Sequence, residues 1–278
     1  MYSEDTQTRI RAWANEAFRL HADFLRLLGP IGADKRWTAD ERQTLFFYLS
    51  PACERSTQSA LFLIAYGQLW DAEVIVRSIA EGTLKFCYLL QSQTTFEQRH
   101  REYSHDLFQI ALLKDHRKAE ELLSAIPNPS DPEWQPIRNR LLKCEEFDKI
   151  SREYPQAARR ALDSRWGFTG LMSELNRSGD KAFSGSNGLA HGYSIASHVQ
   201  HADYVGTSLP MDRDLRSNER RNSIQLAHAA RLISDTFSYM WLRLAVAYRF
   251  LAHDTASLVQ AQATTESLMN DLDAAANA

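Results

Sequence analysis

The stretch from Asn218 to Leu251 constrains the fold of this chain more than any other part of the sequence. Its apolar side chains are spaced so that they lie on one face of an α-helix. They are Ile224, Leu226, Ile233, Phe237, Met240, Leu244, Val246 and Phe250. A helix of this length is roughly 50 Å long at 1.5 Å per residue. Other helices must pack against its apolar face along that whole length. The sequence therefore predicts a helical bundle, completed either by the chain itself or by a second copy in a homodimer.

Helical spacing also marks most of the preceding chain. Residues 6–28 predict an amphipathic helix, and Thr38 with Glu41 forms the capping-box pattern that opens another. Pro51 is expected to break or kink that second helix. The segment from Asp71 to Leu90 has few polar positions, so its helix is expected at the centre of the bundle.

The numbers of glycine and proline residues support the same fold class. Only 11 Gly and 8 Pro are present, too few for the many tight turns of a β-sandwich or barrel. No run of alternating apolar and polar residues predicts a strand. We therefore predict an all-α fold, a helical bundle of about eight to eleven helices with a long C-terminal helix.

The predicted organisation is a single all-helical domain over residues 1–278. The clearest loop is proline-rich and begins at residue 127, and the charged segment behind it has room only for short helices. Residues 127–163 are therefore expected to form a peripheral insertion. A second loop is expected from Gly206 to Arg216, because Pro210 and several charges interrupt the apolar pattern.

Charge and hydropathy disfavour several classes of protein. The net charge is -3 and the pI ≈ 6.3, which disfavours a nucleic-acid binder with a dominant basic field and leaves room for a local basic patch. No apolar run approaches the ~20 residues of a membrane span, and no secretory signal is visible. Three cysteines without CxxC spacing are typical of reduced thiols. We expect a cytoplasmic protein that does not enter a membrane.

Familiar cofactor motifs are missing from the sequence. Neither the glycine-rich nucleotide-binding patterns nor the GxSxG elbow occurs. His191, His198, His201 and Asp203 resemble a metal-ligand series, but a cysteine ligand, a second carboxylate and the HExxH pattern are lacking. We therefore expect no cofactor and no metal.

A polar stripe on one predicted helix is the first candidate site. Tyr193, Ser197 and His201 are four residues apart, so they share one helix face. Histidine can exchange protons near neutral pH, and a neighbouring hydroxyl can relay or orient a proton. The same stripe is also typical of a hydrogen-bonded network between packed helices. The sequence leaves both interpretations open.

Arg77 and Glu81 are the second candidate, on the most apolar predicted helix. Ionised side chains in such surroundings need partners. At a spacing of four residues they can pair with each other. The alternative is that Arg77 binds an anion or that Glu81 acts on the polar stripe across the bundle.

The third candidate follows the Arg-x4-6-His pattern of HEPN ribonucleases, which are small helical domains. In that chemistry arginine steadies the scissile phosphate and histidine handles the proton of the 2′-hydroxyl, without a metal. The pattern occurs at Arg99 with His105, and at Arg221 with Asn222 and His228. Chance supplies about two such matches in a chain so rich in arginine, so the pattern has no weight by itself.

The order of these features resembles a bacterial family of all-helical proteins of unknown function. The family has an apolar helix with a small-residue turn and an Arg-x3-Glu signature, then a Trp-containing segment and a Tyr-x3-Ser-x3-His signature. The corresponding residues here, within about 45–250, are Gly67, Asp71, Arg77, Glu81, Trp166, Tyr193, Ser197 and His201. The proline that usually follows the histidine is replaced by Ala202 and Asp203.

The resemblance implies a compact helical bundle related to HEPN-like domains, some of which act in phage defence or as toxins. It also implies that the residues of the two signatures converge on one pocket. Those site residues are Arg77, Glu81, Tyr193, Ser197 and His201.

Two functions of different classes follow. The first is a cytosolic HEPN-like protein of defence or toxin type that binds RNA or cleaves it without a metal, with an open electropositive cleft around His201. The second is a non-enzymatic interaction or sensor protein, in which the same five residues are buried and hydrogen-bonded to one another. The partners that these functions require are RNA, a second copy of the chain, or a protein that the sequence does not identify.

Overall fold

The computed structural model describes residues 3–183 and 187–277, and every regular element in them is helical. The α-helices of the first part are α1 (Glu4–Arg26), α2 (Leu28–Gly32), α3 (Ala39–Arg42), α4 (Ser50–Ala65), α5 (Leu69–Leu89), α6 (Gln93–Arg101) and α7 (Leu107–Ala125). Those of the second part are α8 (Gln135–Arg138), α9 (Cys144–Glu153), α10 (Gln156–Trp166), α11 (Phe168–Arg177), α12 (Asn187–His201), α13 (Tyr204–Asp214), α14 (Asn218–Phe250) and α15 (Ala256–Ala276). The predicted all-α fold and its long helix near the C-terminus, α14, are confirmed. None of the described helices is long and apolar enough to cross a membrane.

The chain divides into two compact units. One consists of Met1–Ser92 with Glu174–Ala278, and the other of Gln93–Ser173. The second unit contains the whole segment 127–163 for which the sequence predicts a peripheral insertion. A single domain with that insertion stays a prediction.

The core of the first unit is built around α5, as its apolar sequence predicts. Ile79, Phe86 and Leu89 are fully buried, and burial of each such side chain stabilises the fold by roughly 1.5–3 kcal/mol. The helix packs against α4 and α14, and α1 packs against both of these neighbours. The turn from α4 to α5 depends on Gly67, whose φ of 75° lies in the left-handed region that a glycine adopts without strain.

One ionised side chain lies in the middle of this apolar core. Arg243 of α14 is 0% exposed. Its guanidinium donates hydrogen bonds to the Glu54 carboxylate on α4 and to Thr83 Oγ1 on α5, the latter at 2.7 Å. This single side chain therefore ties three helices together, and burial of the ion pair is tolerated because each charge has a partner.

The helix start at Thr38 agrees with the prediction from the sequence, whereas the region before Pro51 does not. The predicted capping box is present: Glu41 N donates to Thr38 Oγ1 at 3.2 Å, and Thr38 N donates to Glu41 Oε2 at 2.7 Å. Instead of a break, a π-helix over Gln43–Leu49 leads directly into α4. Pro51 is the second residue of α4, directly behind the π-helix.

The predicted loop from Gly206 to Arg216 is wrong, because that segment forms most of α13. Asp203 caps the helix: its Oδ1 accepts a hydrogen bond from Gly206 N at 3.0 Å. Such a cap typically stabilises a helix by about 1 kcal/mol. Pro210 lies inside α13, so it does not end the helix as its usual preference predicts.

The second unit has a small core of its own. Ile110 and Leu113 of α7 pack with Ile150 and Tyr154, which lie at the end of α9. Buried Glu102 accepts a hydrogen bond from Trp166 Nε1 at 2.9 Å. The helices α8, α9 and α10 are short, as the charged and proline-interrupted sequence predicts.

Buried His21 gives the first unit a dependence on pH that can be measured. Burial, with the nearby charge of Arg243, lowers the pKa of His21 to about 3. Its Nε2 lies 2.9 Å from Thr236 Oγ1, and its ring stacks on Phe237 at 4.3 Å between centroids. Below pH 6.5 the unfolded chain therefore binds a proton at this residue that the folded chain excludes.

We expect His21→Gln to reduce the loss of stability in acid. As pH falls from about 6.5 towards 3, His21 removes about 1.4 kcal/mol of unfolding free energy per pH unit, and the variant lacks this contribution. Urea unfolding of both proteins at several values between pH 4 and 6 measures the two slopes. Equal slopes would show that His21 is not the excluded proton site.

Candidate functional site

Three of the five residues predicted from the two signatures form one hydrogen-bonded network between α5 and α12. Arg77 Nη2 donates to Tyr193 Oη at 2.7 Å, and Arg77 Nε donates to Glu81 Oε1 at 3.2 Å. The Tyr193 hydroxyl donates to Glu81 Oε1 at 3.0 Å. The guanidinium also lies over the tyrosine ring, 4.2 Å from its centroid. Arg77, Glu81 and Tyr193 are called the signature network below.

The signature network holds the tyrosine as a neutral hydrogen-bond donor. Burial raises the pKa of Tyr193, and the hydrogen bond to Glu81 and the charge of that carboxylate raise it further. A phenol with a raised pKa keeps its proton at neutral pH. The network therefore resembles a structural hydrogen-bond cluster more than a proton-transfer site.

Ser197 and His201 are not joined to the signature network. Arg77 Nη1 instead donates to Gln200 Oε1 at 2.7 Å, one residue before His201. Ser197 is half-buried, and His201 is exposed as the last residue of α12. Among the described residues, neither side chain has a hydrogen-bond or ion-pair partner. Their predicted catalytic role stays a prediction.

The α14 residues of the third candidate, Arg221, Asn222 and His228, contact three different partners. Arg221 Nη2 donates to Asn218 Oδ1 at 2.7 Å, and Asn222 Oδ1 accepts a hydrogen bond from Ser3 N at 3.2 Å. His228 Nε2 lies 2.8 Å from Glu73 Oε2. The structure therefore does not bring Arg221, Asn222 and His228 to one point, although His228 belongs to a second polar cluster.

This second cluster is centred on the buried carboxylate of Glu73, which is 2% exposed. Besides His228, it binds the guanidinium of Arg231, whose Nη1 donates to Asp235 Oδ2 at 3.1 Å. Burial alone raises the pKa of Glu73, but the hydrogen bond from His228 and the charge of Arg231 hold it below its ordinary value. Burial lowers the pKa of His228 despite the carboxylate beside it. Glu73 therefore stays charged and fixes Arg231 from the core side.

A pocket of about 170 Å³ opens beside this cluster, between α12 and α14. Arg231, Asp235 and Tyr239 follow each other at steps of four along α14, so they form one stripe on its face. His191 of α12 is exposed and completes the polar part of the lining, and the other lining residues are Leu189, Gly192 and Ile195. We call this the α12/α14 pocket.

The α12/α14 pocket has a carboxyl group that changes protonation state near neutral pH. Burial raises the pKa of Asp235 to about 6, although the charge of Arg231 opposes the shift. Burial and the nearby Asp235 raise the pKa of Tyr239, so its phenol keeps its proton. An acid with a raised pKa beside a fixed guanidinium and an imidazole is an arrangement suited to proton transfer on an anionic substrate.

The sequence singles out His191 only as part of an apparent metal-ligand series, and it does not mark the other residues of this pocket because they have no distinctive motif. Arg231, Asp235 and Tyr239 share the four-residue spacing that drew attention to Tyr193, Ser197 and His201, but they lie within a long amphipathic helix where charged residues are ordinary. Glu73 lies four residues before Arg77 on α5. This spacing is the one sequence signal that the helix contacts two separate polar clusters.

The described ranges contain no group of three or more His, Cys, Asp or Glu side chains that could hold a metal ion.

The comparisons with known proteins identify a family and no named relative. A model described as "Family of unknown function (DUF5677)" matches residues 43–219, more than half of the chain. The match includes the signature network, Ser197 and His201, and it ends before Arg221. Neither the curated proteins nor the solved structures contain a match to this chain. The chain belongs to DUF5677, a family of unknown function.

Proposed function

We propose that this protein is a HEPN-like helical ribonuclease that cleaves RNA in the α12/α14 pocket without a metal ion. The observation that supports the proposal is that Arg231, Asp235, Tyr239 and His191 line one small pocket. Cleavage of RNA through its own 2′-hydroxyl needs a proton acceptor, a proton donor and a cation beside the phosphate. These side chains supply all three.

In the proposed reaction, His191 accepts the proton of the 2′-hydroxyl, and the freed oxygen attacks the adjacent phosphorus. The bond between phosphorus and the 5′-oxygen breaks, and Asp235 donates its proton to the departing oxygen. Arg231 stabilises the negative charge that grows on the phosphoryl oxygens. The products are a 2′,3′-cyclic phosphate and a free 5′-hydroxyl, so atoms and charges balance.

The protonation state of Asp235 supports its role as the acid. With a pKa of about 6, about one tenth of the molecules carry the proton at pH 7. An aspartate with its usual pKa would carry it in fewer than about one in a thousand. Glu73 is a positioning residue in this account, because it binds the guanidinium of Arg231 from the buried side.

The signature network has a supporting role in the same account. Arg77 binds both Tyr193 and Gln200, which are seven residues and therefore about two helical turns apart. Two attachments on one face fix the rotation of α12 on α5. His191 lies two residues from Tyr193 on the same helix, so its position at the pocket depends on that rotation.

The relationship to HEPN-like domains, a role in phage defence or as a toxin, a cytoplasmic location and a homodimer all belong to this proposal. The family resemblance supports the first two. The long apolar face of α14 suits the last, although much of it is already covered by α5 in the same chain.

The test is to incubate the purified protein with total cellular RNA in the presence of EDTA. We expect wild type to cleave the RNA, His191→Ala to lose about 100-fold or more of that rate, and His201→Ala to keep it. Circular dichroism checks that each variant is folded. Loss in His201→Ala alone would move the reaction to Ser197 and His201, and loss in His228→Ala alone would move it to the Arg221 motif.

A second candidate function is a non-enzymatic interaction or sensor protein. It is favoured by one observation, namely that Arg77, Glu81 and Tyr193 satisfy one another, which is what a structural polar seam requires. Absence of cleavage by folded wild type, with and without EDTA, would support this function over the first.

A further inference from the structure

A larger cavity lies elsewhere in the first unit, between α1, α2, α4 and the π-helix Gln43–Leu49. Its volume is about 470 Å³, which lies in the roughly 300–1,000 Å³ range of small-molecule sites. Apolar side chains form most of its wall, among them Leu25, Phe46, Phe47 and Pro51. The cavity shares no lining residue with the α12/α14 pocket.

The aromatic part of the cavity wall packs against the protein core. Phe46 packs against Trp37 at 5.7 Å and against Phe86 at 6.2 Å between ring centroids. Both of those rings belong to the core. Phe47, the next residue of the π-helix, is 65% exposed. A π-helix is rare and often found at functional sites, and here it brings two successive phenylalanines, Phe46 and Phe47, to the cavity wall.

Two arginines line the cavity without a carboxylate partner. Arg42 Nη2 donates to the carbonyl oxygen of Asp34 at 3.0 Å, while Arg42 Nε is buried and has no hydrogen-bond partner. Arg55 is exposed, and its guanidinium forms no hydrogen bond or ion pair with any described residue. A buried donor without an acceptor costs roughly 1–3 kcal/mol. The site therefore has donors available for an anion.

The one carboxylate in the lining is already neutralised. Glu54 is buried, and its Oε1 accepts a hydrogen bond from Arg243. The lining therefore has a net positive charge from Arg42 and Arg55. A mostly apolar lining with two guanidinium groups suits an apolar ligand that carries an anionic head group.

We infer that this cavity binds a small amphipathic carboxylate. The apolar part of the ligand packs on Leu25, Phe46, Phe47 and Pro51, and the carboxylate accepts hydrogen bonds from Arg42 and Arg55. Such bonds to an ionised group are about twice as strong as neutral ones. The inference does not depend on RNA cleavage, because the two sites are lined by different residues.

The test is calorimetric titration of the full chain with sodium decanoate below its micelle concentration. We expect one molecule to bind per chain. The neutral analogue 1-decanol and the cationic decyltrimethylammonium are expected to bind at least about tenfold more weakly, because neither satisfies the arginines. This comparison uses only wild type, so it remains decisive if a variant fails to fold. No binding of decanoate, or equal binding of decanol, would overturn the inference.

Variants locate the site. Arg42→Gln is expected to weaken decanoate binding about tenfold, and Arg55→Gln, which is more exposed, about threefold. Arg11→Gln is the matched control, because Arg11 is an exposed arginine on α1, roughly 20 Å along the helix from Leu25. It is expected to leave binding unchanged, and an equal loss in Arg11→Gln would overturn the assignment.

Discussion

Replacing Arg243 with methionine is expected to lower the free energy of unfolding by about 3–5 kcal/mol. The substitution removes the hydrogen bonds to Glu54 and Thr83 and leaves a buried carboxylate without its counter-charge. Burial already raises the pKa of Glu54 against the opposing effect of Arg243. Without the arginine, the folded protein has to bury either an unpaired charge or a proton taken up at neutral pH. Urea unfolding at pH 7 measures the loss.

Arg249 provides a matched control on the same helix. Its Nη1 donates to Asp180 Oδ1 at 2.8 Å, but its side chain is 45% exposed. Exposed ion pairs contribute about 0–1 kcal/mol, so Arg249→Met is expected to cost no more than that. The double variant Arg243→Met with Glu54→Gln should recover part of the loss, because it removes the uncompensated charge. A single Arg243→Met variant as stable as Arg249→Met would contradict the role of Arg243 as the tie between three helices.

Replacing Asp235 with asparagine is expected to reduce RNA cleavage by about 10²–10⁴-fold, the usual contribution of a general acid. Asparagine has nearly the same shape and can still accept a hydrogen bond from Arg231, but it has no proton to give to the departing 5′-oxygen. The measurement is the rate of cleavage of a defined RNA oligonucleotide in EDTA, with identification of the 2′,3′-cyclic phosphate.

Asp212 provides the control for that substitution. It is an exposed aspartate of α13 that pairs with Arg216 at 2.8 Å, so Asp212→Asn removes an ion pair of the first unit without touching the α12/α14 pocket. We expect its cleavage rate to equal that of wild type. A folded Asp235→Asn protein that cleaves at the wild-type rate would exclude Asp235 as the acid.

Periodicity predicts most of the helices and one polar contact, because both depend on local spacing. The burial of α5 follows from its nearly continuous apolar residues, and the capping box at Thr38 and Glu41 follows from a spacing of three. The pairing of Arg77 with Glu81 is predictable because residues four apart are neighbours on a helix. The family resemblance implies that Arg77 and Tyr193 converge on one pocket, but it gives only the order of the two signatures and not the bond between these residues.

The α12/α14 pocket could not be predicted in the same way. The raised pKa of Asp235 depends on burial beside α12 and α5, and no property of residues 231–239 alone distinguishes this aspartate from a solvated one. Asp203 and Pro210 show a different difficulty, namely two local signals that disagree. A local rule predicted a loop from the proline, while the cap that Asp203 provides favours the helix that is observed.

The pH dependence of RNA cleavage by wild type in EDTA tests directly whether Asp235 acts as the acid. If Asp235 donates the proton in the α12/α14 pocket, the rate should decline above about pH 6, towards tenfold per pH unit on the alkaline side. Asp235→Asn should lack that decline in whatever rate remains. A folded wild-type protein that cleaves no RNA at any pH, or cleaves it at a rate that does not fall above pH 6, would contradict the account.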